Sequence, residues 1–287
     1  MLFCVREEVD PVNPSVNKLL TFLYELFRSG GATSQGLGYS AMKTVRSAIS
    51  AIANIDGVPA GQHGLVKRFL KAVFRERPAL ARYQNIWDPD VVLEHIKTLG
   101  LNKDLSIIQL SRKLVILMLL LSGQRAQTLH LLDVRHMELS FSRATFHIGD
   151  LLKTTRPGSH FSEIVFKAYA PNRRLCVITA LKEYLYRTLD VRGSTKRLFL
   201  TTRSPVRAAS RDTLRRWTRD ILAASGIDVR KFAPASTRSA SVSKASLKIP
   251  TSLVVKTIGW SSESMWAKYY NKPLLPRQSF ADAILLG

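Results

Sequence analysis

Tyrosine, arginine and lysine side chains that could act on an anionic group occur in four stretches of the sequence. The stretch IGWSSESMWAKYYNKP places Tyr269 and Tyr270 side by side. Upstream, SGQRAQTLHLLDV contains Arg125, DLLKTTRPGS contains Lys153 and PASTRSASVSKA contains Arg238. A tyrosine oxygen can form a covalent intermediate, while arginine and lysine can neutralise charge that develops on a phosphate. Because arginine is abundant in this chain, each stretch is weak evidence by itself.

The charge of the chain favours a polyanionic partner. Its 287 residues include 43 Lys and Arg against 21 Asp and Glu, a formal net charge of +22. Residues 1–60 are neutral, so the whole excess lies beyond residue 60. Surplus basic residues often only solvate a surface, but an imbalance of this size favours nucleic acid as the partner. A phosphodiester is therefore the expected target of the chemistry.

The sequence offers no convincing set of ligands for a metal ion or cofactor. HLLDVRHME contains His130, Asp133, His136 and Glu138 without a familiar ligand spacing, so structural roles are favoured for them. P-loop, glycine-rich dinucleotide-binding and HExxH signatures are absent from the sequence. No metal or cofactor is therefore predicted, and arginine and lysine must neutralise the phosphate.

Cysteine usage and hydropathy predict a soluble intracellular protein with no membrane partner. The two cysteines, Cys4 and Cys176, have no CxxC spacing, which favours a reducing compartment. The longest apolar run, Leu114–Leu121, is too short to span a bilayer. The opening residues MLFCVREEVD lack the basic flank and apolar stretch of a signal peptide.

The first third of the chain shows helical periodicity with basic faces. PSVNKLLTFLYELFRSGG, GYSAMKTVRSAISAIANIDG and GLVKRFLKAVFRERP each space apolar residues as an amphipathic helix does. The second and third stretches also carry basic residues on another face: Lys43, Arg46, Lys67, Arg68, Lys71 and Arg75. A solvated surface and contact with nucleic-acid phosphates explain these basic residues about equally well.

A boundary at about residue 86 is predicted to divide the chain into domains 1–86 and 87–287. After it, Asp88 is placed to cap a new helix that has Pro89 at its first position. Further on, ATFHIGDLLKTTRPGSHFSEIVFKAY alternates as strands do and is interrupted by a turn at Arg156. Helical patterns then return and continue to the C-terminus. The predicted fold class is mainly α, an all-helical domain followed by a mostly helical domain with a small sheet.

The order of the four stretches resembles the tyrosine recombinase (phage integrase) superfamily over nearly the whole chain. SGQRAQTLHLLD, STRSASVSKA and GWSSESMWAKYYNKP are most similar to the DIRS-like, Ngaro-like and Crypton recombinases of eukaryotic mobile elements. YSAMKTVRSAISAI and GLVKRFLKAVFRERP resemble the helical core-binding domain of that group. The resemblance implies a DNA-clamping domain in 1–86 and a catalytic domain with a small antiparallel sheet in 87–287.

The resemblance also implies a role for individual residues. Arg125 and Arg238 would clamp the non-bridging oxygens of the scissile phosphate, a task that suits the bidentate guanidinium fork. Lys153, on a β-hairpin, would protonate the departing 5′ oxygen. Trp260 would stand where the family has His or Trp and donate a hydrogen bond near the nucleophile. The plainer alternatives are a surface arginine for Arg125 and an ordinary turn lysine for Lys153. A role for Trp260 as a core aromatic residue is compatible with the implied one.

Only one of the two tyrosines can face the phosphate, because adjacent helical residues point about 100° apart. Bacterial and phage members place the nucleophile nine residues after the His or Trp, which selects Tyr269. The mobile-element members commonly have Phe-Tyr or Tyr-Tyr here, with tyrosine second, which selects Tyr270. We choose Tyr270 as the nucleophile and keep Tyr269 as the alternative.

One position departs from the family pattern, since Ala235 stands where the relatives typically have histidine. Loss of one general acid–base group lowers a rate by about a hundredfold to ten-thousandfold. Either the copy has decayed or been domesticated, or the residue was replaced to slow the reaction. The leading hypothesis is a recombinase with impaired cleavage. The alternatives are an inactive DNA-binding protein on the same fold and a basic helical regulator without catalytic ancestry.

A recombinase of this kind would cleave and rejoin the DNA of a mobile element through a 3′-phosphotyrosine, without metal or ATP. The implied partners are double-stranded DNA and further copies of the chain, in a tetramer on two DNA sites. The C-terminal segment would dock on a neighbouring protomer or fold back on its own domain. The resemblance to eukaryotic elements implies a nuclear location. The predicted DNA contacts are Lys43, Arg46, Lys67, Arg68, Lys71, Arg156 and Arg215.

Overall fold

The computed structural model describes residues 2–29, 36–78, 83–152, 155, 157–158, 160, 163–260, 263–275 and 285, with only the backbone at Met265, Lys268 and Tyr269. Two units can be distinguished, Met1–Arg82 and Tyr83–Gly287. The sequence-based boundary assigns residues 83–86 to the first domain. In the structure, residues 83–86 belong to the second unit, because Ile86 and the adjacent Trp87 are both buried in its core.

The first unit is a small helical bundle with one short hairpin. Its described helices are α1 (Leu2–Arg6), α2 (Val16–Ser29), α3 (Tyr39–Ser50) and α4 (Gly64–Glu76), and β1 (Asn54–Ile55) pairs with β2 (Val58–Pro59). The apolar stripes of the helices meet in one core, which includes Leu19, Leu23 and Phe27 of α2, Met42 of α3, and Val66, Leu70 and Val73 of α4. The helical periodicity of the sequence therefore reflects the buried faces.

The hairpin was not predicted from the sequence, whose helical pattern runs on to Gly57. The α3 helix ends at Ser50 instead. Asp56 has a φ of 52° and Gly57 a φ of 73°. Two successive left-handed residues form the turn that joins two strands most tightly, and an Asp-Gly pair adopts it readily. The local turn chemistry therefore prevails over the helical spacing.

The second unit contains the remaining helices and a three-stranded sheet. Its described helices are α5 (Pro89–Thr98), α6 (Ile107–Ser122), α7 (Ala126–His130), α8 (Val177–Thr188), α9 (Arg211–Ala224), α10 (Ser236–Ser246), α11 (Thr251–Ile258) and α12 (Glu263–Tyr269). The strands β3 (Met137–Leu139), β4 (Arg143–His147) and β5 (Glu163–Lys167) form an antiparallel sheet in that order. The predicted fold class, mainly helical with a small antiparallel sheet, is confirmed.

Helix α6 is the centre of this unit. Ser106 and Gln109 form a capping box at its start, and the apolar run Leu114–Leu121 lies along it. The helices α8, α9 and α10 pack around α6, which is buried on nearly every side. Removal of so much apolar surface from water stabilises the unit and fixes the position of the end of α6. In the described part of the chain, no helix has both the length and the apolar character needed to cross a membrane.

The sheet buries one face against the helices. Ala144, Phe146, Ile164 and Phe166 are buried in the same core as α6. Exposed residues (Glu163, Val165 and Lys167) alternate with them in β5, as expected for a strand with one solvated face. The connection between β4 and β5 carries Lys153 and Arg156, which lie outside the described residues.

Candidate active site

Arg125 is positioned by the turn that ends α6. The helix ends at Gly123, whose φ of 60° is left-handed. A Cβ atom at this position would collide with Cδ1 of Ile258. Gln124 then donates from Nε2 to the carbonyl oxygen of Ile258 (3.4 Å), and Arg125 follows in extended backbone as the N-cap of α7. The close approach of the chain to Ile258 thus holds Arg125 at the end of the core helix.

Arg238 is a buried charge whose hydrogen-bonding groups are incompletely satisfied by the described residues. It lies in α10 and is 3% exposed, and within the described residues its Nε and Nη2 have no hydrogen-bond partner. Burial, with a smaller contribution from the positive charge of Arg125, lowers the pKa of Arg238 to about 10, against an opposing effect of Tyr270. An uncompensated buried guanidinium is unfavourable, so a bound anion would stabilise it. Together with Arg125, it forms a candidate site for an oxyanion such as phosphate.

Trp260 and Tyr270 lie beside this guanidinium. The ring centroids of Trp260 and Tyr270 are 4.5 Å apart, with an angle of 36° between the planes. Cζ of Arg238 is 5.1 Å from the ring centroid of Trp260 and 5.7 Å from that of Tyr270. Attraction between a cation and aromatic rings favours this arrangement. The structure therefore brings Arg238, Trp260 and Tyr270 together in one small region.

The backbone of Tyr270 is tied to the helix that carries Arg238. Tyr270 follows directly after α12, and its N–H donates to the carbonyl oxygen of Trp266 (2.9 Å). Its carbonyl oxygen accepts a hydrogen bond from Oγ of Ser243 in α10 (2.8 Å). These bonds place the ring of Tyr270 near the guanidinium of Arg238. The side chain of Tyr269 lies outside the described residues, so the choice between the two tyrosines stays a prediction.

Ala235 lies at the start of α10, one turn before Arg238. It is the N-cap residue, and its side chain makes no hydrogen bond to the helix end. The residue is exposed. A methyl group can neither donate a hydrogen bond to a phosphate nor transfer a proton. Ala235 therefore offers no acid–base group at the start of α10.

Most of the predicted DNA contacts are exposed side chains. Arg46 is half-buried, and Arg156 lies outside the described residues, as does Lys153. Arg215 in α9 is 3.2 Å from the carboxylate of Asp212. The other four predicted contacts belong to the first unit and are exposed: Lys43, Lys67, Arg68 and Lys71. On α4 the basic residues occupy the side away from the apolar stripe.

The stretch HLLDVRHME makes structural contacts. Nδ1 of His130 is 3.0 Å from the carbonyl oxygen of Ala209. Asp133 forms an ion pair with Arg135 at 2.7 Å, and the hydrogen bonds from Arg135 lower the pKa of Asp133. Among the described residues, no group of three or more His, Cys, Asp or Glu residues could hold a metal ion.

No family model and no curated protein matches the sequence. Several solved structures match in fold. XerH site-specific recombinase, bound to palindromic difH substrate in a post-cleavage complex, has 15% identity and a TM-score of 0.59, covering 89% of this chain and 68% of that one. Tn1549 transposon integrase in complex with circular intermediate DNA has 13% identity and a TM-score of 0.56, with coverages of 96% and 86%. A lambda integrase dimer bound to a COC′ core site has 16% identity and a TM-score of 0.51, with coverages of 92% and 83%.

The protein has the tyrosine recombinase fold. In this recombinase fold, the contacts that brace the candidate site were missed by sequence reasoning. Lys244 donates from Nζ to Asp88 (3.0 Å) and Asp90 (2.8 Å), and Trp87 donates from Nε1 to Oγ of Ser236 (2.9 Å). The partners are 149 to 156 residues apart, so no local pattern reveals them. The run of small residues in STRSASVSKAS was the feature of the sequence that could have indicated a closely packed helix here. Most of these residues are buried in α10.

Proposed function

We propose that the protein is a site-specific DNA recombinase or integrase of a mobile element, of the DIRS-like, Ngaro-like and Crypton kind. The observation that carries the proposal is the buried guanidinium of Arg238, whose Nε and Nη2 have no hydrogen-bond partner among the described residues and which adjoins Tyr270. Such a group suits the charge of a phosphodiester, and the net charge of +22 suits duplex DNA. Likeness in fold to recombinases solved on DNA supports the proposal.

In the proposed reaction, the phenolic oxygen of Tyr270 attacks the scissile phosphorus while the bond to the 5′ oxygen breaks. Arg125 and Arg238 hold the non-bridging oxygens and neutralise the charge that develops on them. Lys153 gives a proton to the departing 5′ oxygen, and the phenolic proton of Tyr270 passes to water. One phosphoester replaces another, so the 3′-phosphotyrosine can be resealed by the reverse reaction without ATP.

Ala235 makes this reaction slow. The family histidine would hydrogen-bond the phosphate and assist proton transfer from the tyrosine, and its loss lowers the rate by about a hundredfold to ten-thousandfold. The same residue favours a second candidate function, a domesticated DNA-binding protein that no longer cleaves. Intact side chains at Arg125, Arg238, Trp260 and Tyr270 favour the enzyme.

The proposed partners are double-stranded DNA and other copies of the chain. Residues 1–86 would serve as the core-binding domain and 87–287 as the catalytic domain. We expect a tetramer on two DNA sites, with the C-terminal segment docking on a neighbouring protomer, and a nuclear location. Crosslinking of the protein with and without DNA that carries its sites tests the tetramer.

A suicide-substrate assay tests the function. A nicked duplex from the termini of the parent element traps the cleaved product, because the short fragment that carries the departing 5′ oxygen diffuses away and cannot reverse the reaction. The covalent complex is then detected on a denaturing gel. Wild type is compared with Tyr270→Phe, Tyr269→Phe and Ala235→His, and we expect a weak wild-type band that Ala235→His strengthens by about a hundredfold.

The pattern of bands separates the two functions. Loss of the band in Tyr270→Phe, but not in Tyr269→Phe, identifies the nucleophile. A band that is lost only in Tyr269→Phe contradicts the assignment of Tyr270. Absence of a band from both wild type and Ala235→His, with DNA still bound in a mobility-shift assay, favours the DNA-binding protein instead.

A further inference from the structure

Residues Tyr83–Asp88, here called the anchoring segment, contact the helix that carries Arg238 near both of its ends. Near the start of α10, Nε1 of Trp87 donates to Oγ of Ser236 (2.9 Å), and both residues are buried. Near the end of α10, Nζ of Lys244 donates to Oδ2 of Asp88 (3.0 Å). A helix held near both ends can neither rotate nor slide without breaking one of these contacts.

The anchoring segment also holds the chain that follows Tyr270. The N–H of Ile86 donates to the carbonyl oxygen of Pro273 (2.9 Å), and the N–H of Leu275 donates to the carbonyl oxygen of Ile86 (2.6 Å). These two bonds form a short parallel bridge centred on Ile86. Nζ of Lys272 donates to the carbonyl oxygen of Tyr83 (2.6 Å).

Three connected hydrogen bonds thus lead from the anchoring segment to Tyr270: from Lys272 to Tyr83, from Lys272 to Ser243, and from Ser243 to Tyr270. Lys272 lies two residues after Tyr270, and its N–H donates to Oγ of Ser243 (3.4 Å), the same hydroxyl that donates to the carbonyl oxygen of Tyr270. Ile86, in the same segment as Tyr83, is fully buried and cannot shift easily. The segment therefore attaches the residues after Tyr270 to the hydrophobic core.

We infer that the anchoring segment is a positioning device that sets the ring of Tyr270 against Arg238. The inference rests on the proposed strand cleavage and adds Lys272 as its main positioning residue. A nucleophile must be held within a fraction of an ångström of its line of attack, and a displacement of about 1 Å lowers a rate by about a hundredfold. Only seven residues form α12, too few to hold Tyr270 in place without such support.

The test compares three variants of the full-length protein. Lys272→Met removes the hydrogen bond to Tyr83 but keeps most of the side chain, and Lys272→Arg restores a donor. Lys256→Met removes an exposed lysine of α11 and serves as the charge-matched control. Hydrogen–deuterium exchange of the DNA-free protein reports on the peptide that contains residues 83–88. Single-turnover formation of the covalent complex and the Kd for the same DNA are measured in parallel.

We expect Lys272→Met to raise the exchange rate of residues 83–88 by about tenfold and to lower the cleavage rate by about tenfold to a hundredfold. Its Kd for DNA should match that of Lys256→Met, and Lys272→Arg should recover both rates. Unchanged exchange, or faster exchange with unchanged cleavage, overturns the inference. A wild type that binds DNA but never cleaves it refutes the proposed function, and the exchange measurement then decides alone whether Lys272 anchors the segment.

Discussion

At the scale of single residues, the role proposed for Arg238 opposes its effect on stability. The lowering of its pKa to about 10 corresponds to about 3 kcal/mol of unfavourable interaction for the charged form. We predict that Arg238→Met raises the melting temperature by roughly 2–6 °C, since the attraction of the guanidinium to the rings of Trp260 and Tyr270 offsets part of this gain. The same change abolishes cleavage. Thermal unfolding measures the first effect and the suicide substrate the second.

Arg216→Met is the control for this prediction, because Arg216 is exposed in α9 and its replacement should leave the melting temperature nearly unchanged. Inorganic phosphate should raise the melting temperature of wild type more than that of Arg238→Met. A lower melting temperature for Arg238→Met would mean that the guanidinium stabilises the free protein, contrary to the burial argument.

Lys113 is a second buried cation, at a site with no predicted function. It is fully buried in α6, its Nζ has no hydrogen-bond partner in the described structure, and burial followed by the charge of Arg174 lowers its pKa to about 8. Between pH 8 and 10.5 the folded state therefore binds fewer protons at this site than the unfolded state, so this group makes stability rise with pH. We predict that Lys113→Met is more stable than wild type at pH 7, by at most about 3 kcal/mol, and that the difference shrinks by about pH 10.

Urea unfolding at about pH 7 and about pH 10 measures this difference. Lys256→Met removes the same charge from an exposed position and should show no comparable narrowing. If the advantage of Lys113→Met is equal at both pH values, the lysine does not titrate in this window in the folded protein.

At the scale of elements, the turn between α6 and α7 determines where Arg125 lies. We predict that Gly123→Ala lowers the free energy of unfolding by roughly 2–4 kcal/mol, because the added Cβ combines left-handed strain with a collision against Ile258. Gly226→Ala is the matched control. Its φ of 84° is also left-handed, but nothing lies within 4 Å of the added Cβ, so about 1 kcal/mol is expected.

Urea unfolding compares the two glycine variants, and the suicide substrate reports on the placement of Arg125. Gly123→Ala should lose cleavage under conditions in which it is still folded, while Gly226→Ala should cleave as wild type does. An equal decrease in stability in the two variants would show that Ile258 moves aside and that only the backbone strain matters.

The elements show which parts of this protein are predictable from its sequence. Amphipathic stripes predicted α2 and α4, and Asp88 before Pro89 predicted the start of α5, because these signals are local. The hairpin at Asp56 was missed, since a two-residue turn prevailed over a helical pattern. Contacts such as Lys244 with Asp88 could not be predicted, because they depend on tertiary packing between segments that are far apart in sequence. The resemblance supplied Arg125 and Arg238 as a pair, and physical chemistry explains why their environment suits an anion.

At the scale of the whole molecule, charge is distributed unevenly. The net charge of +22 arises beyond residue 60, and the exposed basic residues of α4 belong to that excess. Each phosphate that a protein neutralises releases counterions from DNA, so affinity falls as salt rises. The salt dependence therefore distinguishes a surface that binds phosphates from one that is only solvated.

We predict that simultaneous replacement of Lys67, Arg68 and Lys71 by alanine weakens DNA binding and flattens its salt dependence. The slope of log K against log salt should decrease in magnitude by about one for each phosphate that is no longer neutralised, because each neutralised phosphate contributes about 0.9. The charge-preserving variant Lys67→Arg, Arg68→Lys, Lys71→Arg should retain the wild-type slope. Binding isotherms between low and moderate salt measure all three proteins. If the alanine variant keeps the wild-type slope while remaining folded, this face of α4 serves solubility, and the phosphates bind elsewhere on the protein.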